Sequence, residues 1–362
     1  MGKLIYNLQW FADAGTLVNA TGNYVNAYTG STESFVTGVT DLSPLNKTFW
    51  DTALLDNARD ELVYTQLGKK VGLPENRGRT IEFRRWKRLA DVGVLTEGVI
   101  PTGKKMSIVA ITASLTQYGE YVAISDLLDQ HGIEDTKLGA VEELGAAGGL
   151  TLEKTVRNTL MGSTNIIFAD AYNGSSYVST PTTESELQTA LTSYTCNLTA
   201  RTINKAATQL QKGAQMIKYS GGYYVAVVHP DVAEDIRNDT AWIESHKYNA
   251  TEEIFNGEIG RMHGVRFLVS NLAPVIKKTS PSQSYATYKT FFFAKDAFAV
   301  IDPEGGSMET IIKDKDQIGG PLNQFMTVGC KFETASKILY QERMVTVWSG
   351  SSYSSTETTN VA

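Results

Sequence analysis

Residues 79–124 read RTIEFRRWKRLADVGVLTEGVIPTGKKMSIVAITASLTQYGEYVAI, and the fold turns on how this stretch is organised. From Arg79 to Arg88 the apolar Ile81 and Phe83 alternate with charged neighbours, the period of a strand with one covered face. A second run, Met106 to Ile124, is rich in Val, Ile, Thr and Tyr, the residue types that suit a pleated surface. Between the runs, LADVGVLTEGVIPTGKK holds three glycines and a proline, too long for a tight hairpin turn. The reading is a long two-stranded flap with a flexible end. Isolated two-stranded ribbons are marginal in water, so such a flap is expected to rest on something else.

The flap is also where the charge is concentrated. Arg77, Arg79, Arg84, Arg85, Lys87, Arg88, Lys104 and Lys105 are eight cations offset between positions 77 and 105 by Glu82, Asp91 and Glu97. That segment carries +5 in a chain of formal charge -6, leaving -11 on the rest. Three readings stand side by side. The basic flap pairs with the acidic body of another copy through bidentate Arg–carboxylate contacts. It is a nucleic-acid patch with Trp86 as a stacking ring. Or it is a solvated strand face.

Outward from the flap, residues 12–42 show neither a helical nor a strand period and read as an extended arm. Ser43 and Pro44 supply an N-cap and a first-turn proline, and Trp50, Leu54, Leu55, Ala58, Leu62 and Val63 recur at helical spacing up to Gly68. After the flap, Leu138, Val141, Leu144, Gly148, Leu152, Val156 and Leu160 form one stripe of a long helix over 135–162, capped by Asp135. Gly145, Gly148 and Gly149 weaken it, allowing a bend or a close approach.

Residues 170–198 are polar and turn-rich. Thr199 caps a helix closed by Ser220-Gly221-Gly222, the strand YYVAVV follows, and His229-Pro230 ends the strand and opens the helix DVAEDIRND, a βα unit. Residues 264–270 give a strand, KTFFFAKDAFAVID a strand pair, METIIKD one more, and FMTVGCKF and KILYQERMVTVW the last long runs. The fold class is α+β. The final SGSSYSSTETTNVA is expected to be a flexible tail, because it has too little apolar surface to bury.

The 362 residues, 42% hydrophobic, suffice for a large core, and the net acidity argues against a surface that seeks nucleic acid everywhere. Cys196 and Cys330 match no metal or redox spacing. The opening MGKLIYNLQWFADAG is broken by Asn7, Gln9 and Asp13 and is not read as a secretory signal; no run of eighteen apolar residues occurs. No Walker loop, GxGxxG, GxSxG, HExxH or EF-hand is present. His229, Asp231, Glu234 and Asp235 are the nearest approach to a metal cluster, but a strand-end histidine and a helix-opening run of acids explain them structurally. His131, His246 and His263 lie beside glycine or in polar loops. No catalytic residue, cofactor or metal is expected.

The phrases PLNKTFWDTALLDNAR, GRTIEFRRWKRL with LTEGVIPTGKKM, GLTLEKTVRNTLMGSTN, YYVAVVHPDVAEDIRND, IGRMHGVRFLVSN and GCKFETASKILYQERMV, in this order, resemble the tailed-bacteriophage major capsid family, in the branch related to short-tailed phage heads. NLQWFAD resembles the opening of head proteins from phages of Gram-positive hosts. The resemblance spans roughly residues 40–348. It implies the phage major capsid fold: an N-arm at 1–46; a helix at 47–75 leading into an E-loop β-flap at 76–124; a discontinuous P-domain at 125–198 and 291–348 with a long spine helix; an α/β A-domain at 199–290; and a tail at 349–362.

Its implied function is self-assembly into hexamers and pentamers of an icosahedral shell enclosing double-stranded DNA, without sequence-specific binding. Arg77, Arg79, Arg84, Arg85, Trp86, Lys87, Arg88, Lys104 and Lys105 would be the E-loop contacts between subunits, and Leu8, Trp10 and Phe11 those of the N-arm. Portal and scaffolding proteins, and a decoration protein, would be partners; the place would be the virion, with host cytoplasm during assembly and no membrane. Some family members join subunits by a Lys–Asn isopeptide bond; Lys104 or Lys105 and Asn323 fall in suitable regions without a matching motif. An encapsulin-like compartment shell, a nucleic-acid-binding protein and an enzyme centred on His229 and Asp231 are the competing classes.

Overall fold

The computed structural model describes residues 24–25, 32–33, 62–74, 78–132, 135–213, 217–246, 260–279, 284–303, 308–318, 323–354 and 357–361. Within residues 1–57, β1 (Tyr24–Val25) pairs antiparallel with β2 (Thr32–Glu33). The arm contacts Leu8, Trp10 and Phe11, and the helix expected from Ser43, lie outside the described residues except for α1 (Tyr64–Leu67) at its end.

From residue 58 onward the elements are, in order, β3 (Lys69–Leu73), β4 (Thr80–Trp86), β5 (Ile108–Ser114), β6 (Thr116–Ser125), α2 (Asp126–His131), α3 (Thr136–Leu160), β7 (Ile166–Phe168), β8 (Ala171–Tyr172), β9 (Tyr177–Ser179), α4 (Glu184–Leu191) and α5 (Ala200–Gly213). Then come β10 (Tyr224–Val228), α6 (Pro230–Asn238), α7 (Thr240–His246), β11 (Gly260–Met262), β12 (Val265–Val269), β13 (Val275–Thr279), β14 (Ser284–Phe293), β15 (Phe298–Pro303), β16 (Glu309–Lys313), α8 (Lys315–Ile318), β17 (Phe325–Ile338) and β18 (Met344–Ser349).

The long helix forms where its stripe predicts. Asp135 caps α3 by accepting the N–H groups of Lys137 and Leu138. Its 25 residues span about 38 Å at 1.5 Å per residue, enough to serve two sheets. Leu144, with Ala140 and Val141 beside it, packs on Ile124, Met326, Val328 and Cys330 of the five-stranded sheet β16-β17-β15-β3, to which β6 adds along β17. Val156 and Leu160 pack instead on Val227, Phe291, Phe293 and Met344 of the seven-stranded sheet β11-β12-β10-β14-β18-β7, to which β13 adds along β14. Gly148 is the close approach: a Cβ there would stand 2.2 Å from Met308 Cε.

Strand alternation explains the layers. Phe291 and Phe293 face α3, whereas Phe292 turns to the opposite side, onto a core with Ile203, Ala207 and Leu210 of α5 and Val232 and Ile236 of α6. β10 is buried at all five positions because helices cover both of its faces. The βα unit is present: β10 leads into α6, and β12 lies parallel to β10.

Several expectations need correction. The run Met106 to Ile124 is two strands broken at Leu115; β5 pairs with β4 in the flap, but β6 leaves it and pairs with β17. The flap is therefore 80–114 rather than all of 76–124. KTFFFAKDAFAVID gives two strands as expected, but they do not pair, since β14 and β15 enter different sheets through a turn at Asp296, φ 57°. β7 and β18, assigned from sequence with the 125–198 and 291–348 segments, are strands of the same sheet as β10 and β14. The helix after Thr199 is described as far as Gly213 and does not reach Ser220, since residues 217–219 are not helical. The turn-rich 170–198 segment contains α4, begun by Thr183, whose Oγ accepts the Glu186 N–H, while Glu186 accepts from Thr182. The segment after β18 is not a free tail but is hydrogen-bonded to the seven-stranded sheet and its helices.

Candidate assembly interface

The flap is a ladder from Thr80↔Ser114 to Trp86↔Ile108. Its base is held by the body. Ile81 and Phe83 pack with Leu73, Ala113, Leu115, Ile301 and Ala335. Arg85 shares their side of β4; its guanidinium lies 5.1 Å from the centre of the Tyr340 ring and its Nη1 is 3.4 Å from Glu342 Oε2. Arg79 Nη2 donates to Leu115 O at 3.3 Å. Both residues, expected at a contact between subunits, thus engage their own chain.

Beyond the base, no described residue of the body supports the flap. Every residue from Trp86 to Ile108 is exposed, including Val92 at 95%, Val94 at 101% and Ile100 at 94%. Lys104 Nζ donates to Ala90 O at 2.9 Å and to Asp91 O, closing the two sides of the end upon each other. Among the described residues, Arg84 on the outer face pairs with the exposed Glu82 alone, at 2.7 Å, a pair worth little in water. Among the described residues Lys87, Arg88 and Lys105 make no ion pair, and Arg77 lies outside them. The end of the flap is cationic and apolar together, a composition that marks a surface meant to be covered. A groove of about 540 Å³ is open on the five-stranded sheet, its lining mixed: Tyr121, Ile311 and Ile318 beside Glu120, Lys313 and Lys331.

The body that carries the flap is locked by a buried polar junction that the sequence gives little sign of. Glu153 of α3 is fully buried, and its carboxylate accepts the backbone N–H groups of Val63 at 2.6 Å, Tyr64, and Thr65 at 3.0 Å. It supplies a cap to α1 that no residue of α1 provides. One turn later the buried Arg157 donates from Nη1 to Leu272 O at 3.2 Å. Burial, and then Glu153, push the Tyr64 phenol far above its ordinary value, and burial lowers Arg157. The only sequence signal was an acid and a base four apart on one helix. Asp170 is a similar case, buried between Lys205 Nζ at 2.7 Å and Arg201 Nε at 3.2 Å.

The residues weighed for a metal are spread over separate tasks. His229 caps α6, its Nδ1 accepting the Asp231 N–H at 3.3 Å. Asp231 Oδ2 accepts from Tyr288 OH at 2.5 Å, and Asp235 accepts from Asn197 Nδ2 at 3.1 Å and Ser352 N at 3.2 Å. Burial lowers the His229 imidazole, which keeps Nδ1 a free acceptor. Glu234 is exposed, as are His131 and His263, and His246 closes α7. Among the described residues no three such side chains converge as metal ligands would.

Residues 108–325 match the family described as phage capsid protein. No curated protein matches the sequence. Among solved structures, the chain is similar to the capsid of cyanophage P-SCSP1u, at TM-score 0.62 and 14% identity over 87% of this chain and 96% of that one. It is similar to the acid-stable capsid of Helicobacter pylori bacteriophage KHP30, at 0.65 and 10% over 87% and 99%. It is also similar to the capsid of Ralstonia phage GP4, at 0.59 and 14% over 88% and 98%. At such identities these likenesses establish the fold.

Proposed function

This chain belongs to the phage capsid protein family, and from that premise we propose how its parts make a shell. It is a major capsid protein of the tailed-phage kind, a structural component of the virion that works as many copies. An encapsulin-like compartment shell, which shares the fold, is not favoured, because the matching family is that of phage capsid proteins.

The reading in detail is that the flap, residues 80–114, is the E-loop of the resemblance and lies on the body of the next subunit. The observation that carries it is the unbroken exposure from Trp86 to Ile108 above a base fixed by Ile81, Phe83 and Arg85. A ribbon that carries exposed valines, leucine and isoleucine and unpaired cations gains support only when another surface covers it. A second copy supplies that surface, since residues 77–105 carry +5 and the rest of the chain -11. Lys87, Arg88 and Lys105 on the end, with Arg84 and Trp86 on the outer face, are the contacts assigned to the neighbour; Arg79 and Arg85 orient the flap from below. Leu8, Trp10 and Phe11 keep the same role in the arm as an inference from sequence.

Many weak contacts of this type close hexamers and pentamers while leaving each one correctable. The acidic remainder faces the enclosed double-stranded DNA and limits adhesion to it. Portal, scaffolding and decoration proteins, assembly in the host cytoplasm, and the absence of catalysis, cofactor and membrane contact belong to the same reading.

The test is expression of the chain alone with imaging by negative-stain electron microscopy, beside a variant with Arg84→Glu, Lys87→Glu and Arg88→Glu. Shells, tubes or capsomers from the parent and folded, unassembled subunits from the variant are expected. Normal shells from the variant would remove the flap from the mechanism.

A further inference from the structure

The segment after β18 occupies the place that an added strand would take on the seven-stranded sheet. β13 pairs with β14 from Val275↔Tyr288 to Thr279↔Ser284, and among the described residues no strand pairs with its other side. Four main-chain groups on that side are met by two residues. Val275 N donates to Asn360 Oδ1 at 2.9 Å, Asn360 Nδ2 donates to Ala273 O at 2.9 Å, and Asn360 N donates to Val275 O at 3.3 Å. Lys277 N donates to Thr359 Oγ1 at 2.9 Å. The Asn360 carboxamide offers one acceptor and one donor in the spacing of a peptide group, so it stands in for a strand without continuing one.

The approach to this edge is itself tied down. Gly350 N donates to Cys196 O at 2.8 Å, Ser351 Oγ to Asp231 O at 3.2 Å, and Ser352 N to the Asp235 carboxylate at 3.2 Å, while Ser354 O lies 3.1 Å from Tyr288 OH. A polar, Ser- and Thr-rich segment has no apolar reason to lie here; it is held by hydrogen bonds directed at this edge and at α6.

We propose that the segment after β18, described at residues 350–354 and 357–361, is an edge guard: its Thr359 and Asn360 fill the open side of β13 and so stop it from pairing with the β13 edge of a second copy. An unpaired edge is a template for edge-to-edge association, and copies crowded together for assembly would find it before completing the intended contacts. The role is separate from the flap, and its test does not require shells to form.

The experiment uses full-length chain carrying the flap triple variant, so that ordered assembly is suppressed, with and without Asn360→Asp. Aspartate keeps the acceptor toward Val275 N but sets an oxygen against Ala273 O in place of the donor. Hydrogen exchange at Val275 and Lys277 is expected to accelerate at least tenfold, and sedimentation to show new association that rises with concentration. A chain lacking residues 350–362 is expected to behave the same way, and a synthetic peptide of residues 350–362 to reverse it, while the Asn360→Asp peptide does not. Unchanged exchange at Val275 and Lys277 overturns the docking. Faster exchange with no new association overturns the guard. Should the flap triple variant still build shells, the role of the flap fails, and the comparison with and without Asn360→Asp still decides this one.

Discussion

Glu153 Oε1 accepts the backbone N–H of Val63 at 2.6 Å, so a carboxylate in the middle of the long helix α3 caps the first turn of a helix 89 residues earlier in the chain. That bond joins the entry of the body to its longest element. Glu153→Gln keeps the shape but turns an amide N–H toward backbone donors. The expected cost is about 2–3 kcal/mol, the range for losing a charge-assisted bond and stranding buried donors. Urea unfolding of dissociated subunits measures it, and an unchanged midpoint would show that the junction is incidental.

Two glycines with opposite surroundings predict opposite signs. A Cβ at Gly145, inside α3, meets nothing within 4 Å, so Gly145→Ala should stabilise the subunit by about 0.5–1 kcal/mol through helix propensity and unfolded-chain entropy. A Cβ at Gly213 would lie 2.5 Å from Glu342 O, a backbone atom that cannot swing away, and Gly213→Ala should cost about 1–3 kcal/mol. The same urea titration reads both. If α3 bends at its glycines during assembly, the more stable Gly145→Ala subunit will also assemble more slowly.

His229 sets a pH dependence whose sign is fixed by its environment. Burial lowers its folded-state pKa below the ordinary 6.5, opposed by Asp231 and Glu357, and its ring packs 5.1 Å from that of Tyr288. A depressed pKa means that the fold favours the neutral ring. Its contribution is complete above pH 6.5 and declines as pH falls through 6.5 toward the folded value. His229→Asn retains a capping acceptor without the titration. Thermal melts between pH 7.5 and 5 should therefore fall more steeply for the parent than for this variant; parallel curves would exclude the histidine as the source.

The end of the flap separates folding from assembly. Val94 and Ile100 are almost wholly exposed, so Val94→Asp with Ile100→Asp should alter subunit stability by no more than about 0.5 kcal/mol. Shell yield by sedimentation should nevertheless collapse, since both side chains would be buried only by a neighbour. Full yield would show that the flap end stays in solvent.

How much of this was legible in the chain follows a single physical line. Where apolar spacing and a local cap agree, the element is written in the sequence: Asp135 with the stripe from Leu138 to Leu160 gives α3, and Tyr224–Val228 followed by His229-Pro230 gives the βα unit. Thr183-x-x-Glu186 was an equally local signal for α4, present in the residues and masked by the polarity around it. The resemblance to the family rested on local phrases, such as GRTIEFRRWKRL and YYVAVVHPDVAEDIRND, in their order.

What the sequence by itself determined is thus the long helix α3 with its apolar stripe, the βα unit of Tyr224–Val228 and α6, and the first strand of the flap. Only the tertiary structure decided partners: that β6 leaves the flap at Leu115, that β14 and β15 part into two sheets, that Glu153 reaches Val63, that Arg79 and Arg85 turn inward, and that Asn360 closes the edge at Val275. Periodicity records that a face must be covered and is silent on what covers it. A hydrogen bond between residues 85 or more positions apart exists only once the chain between them has packed.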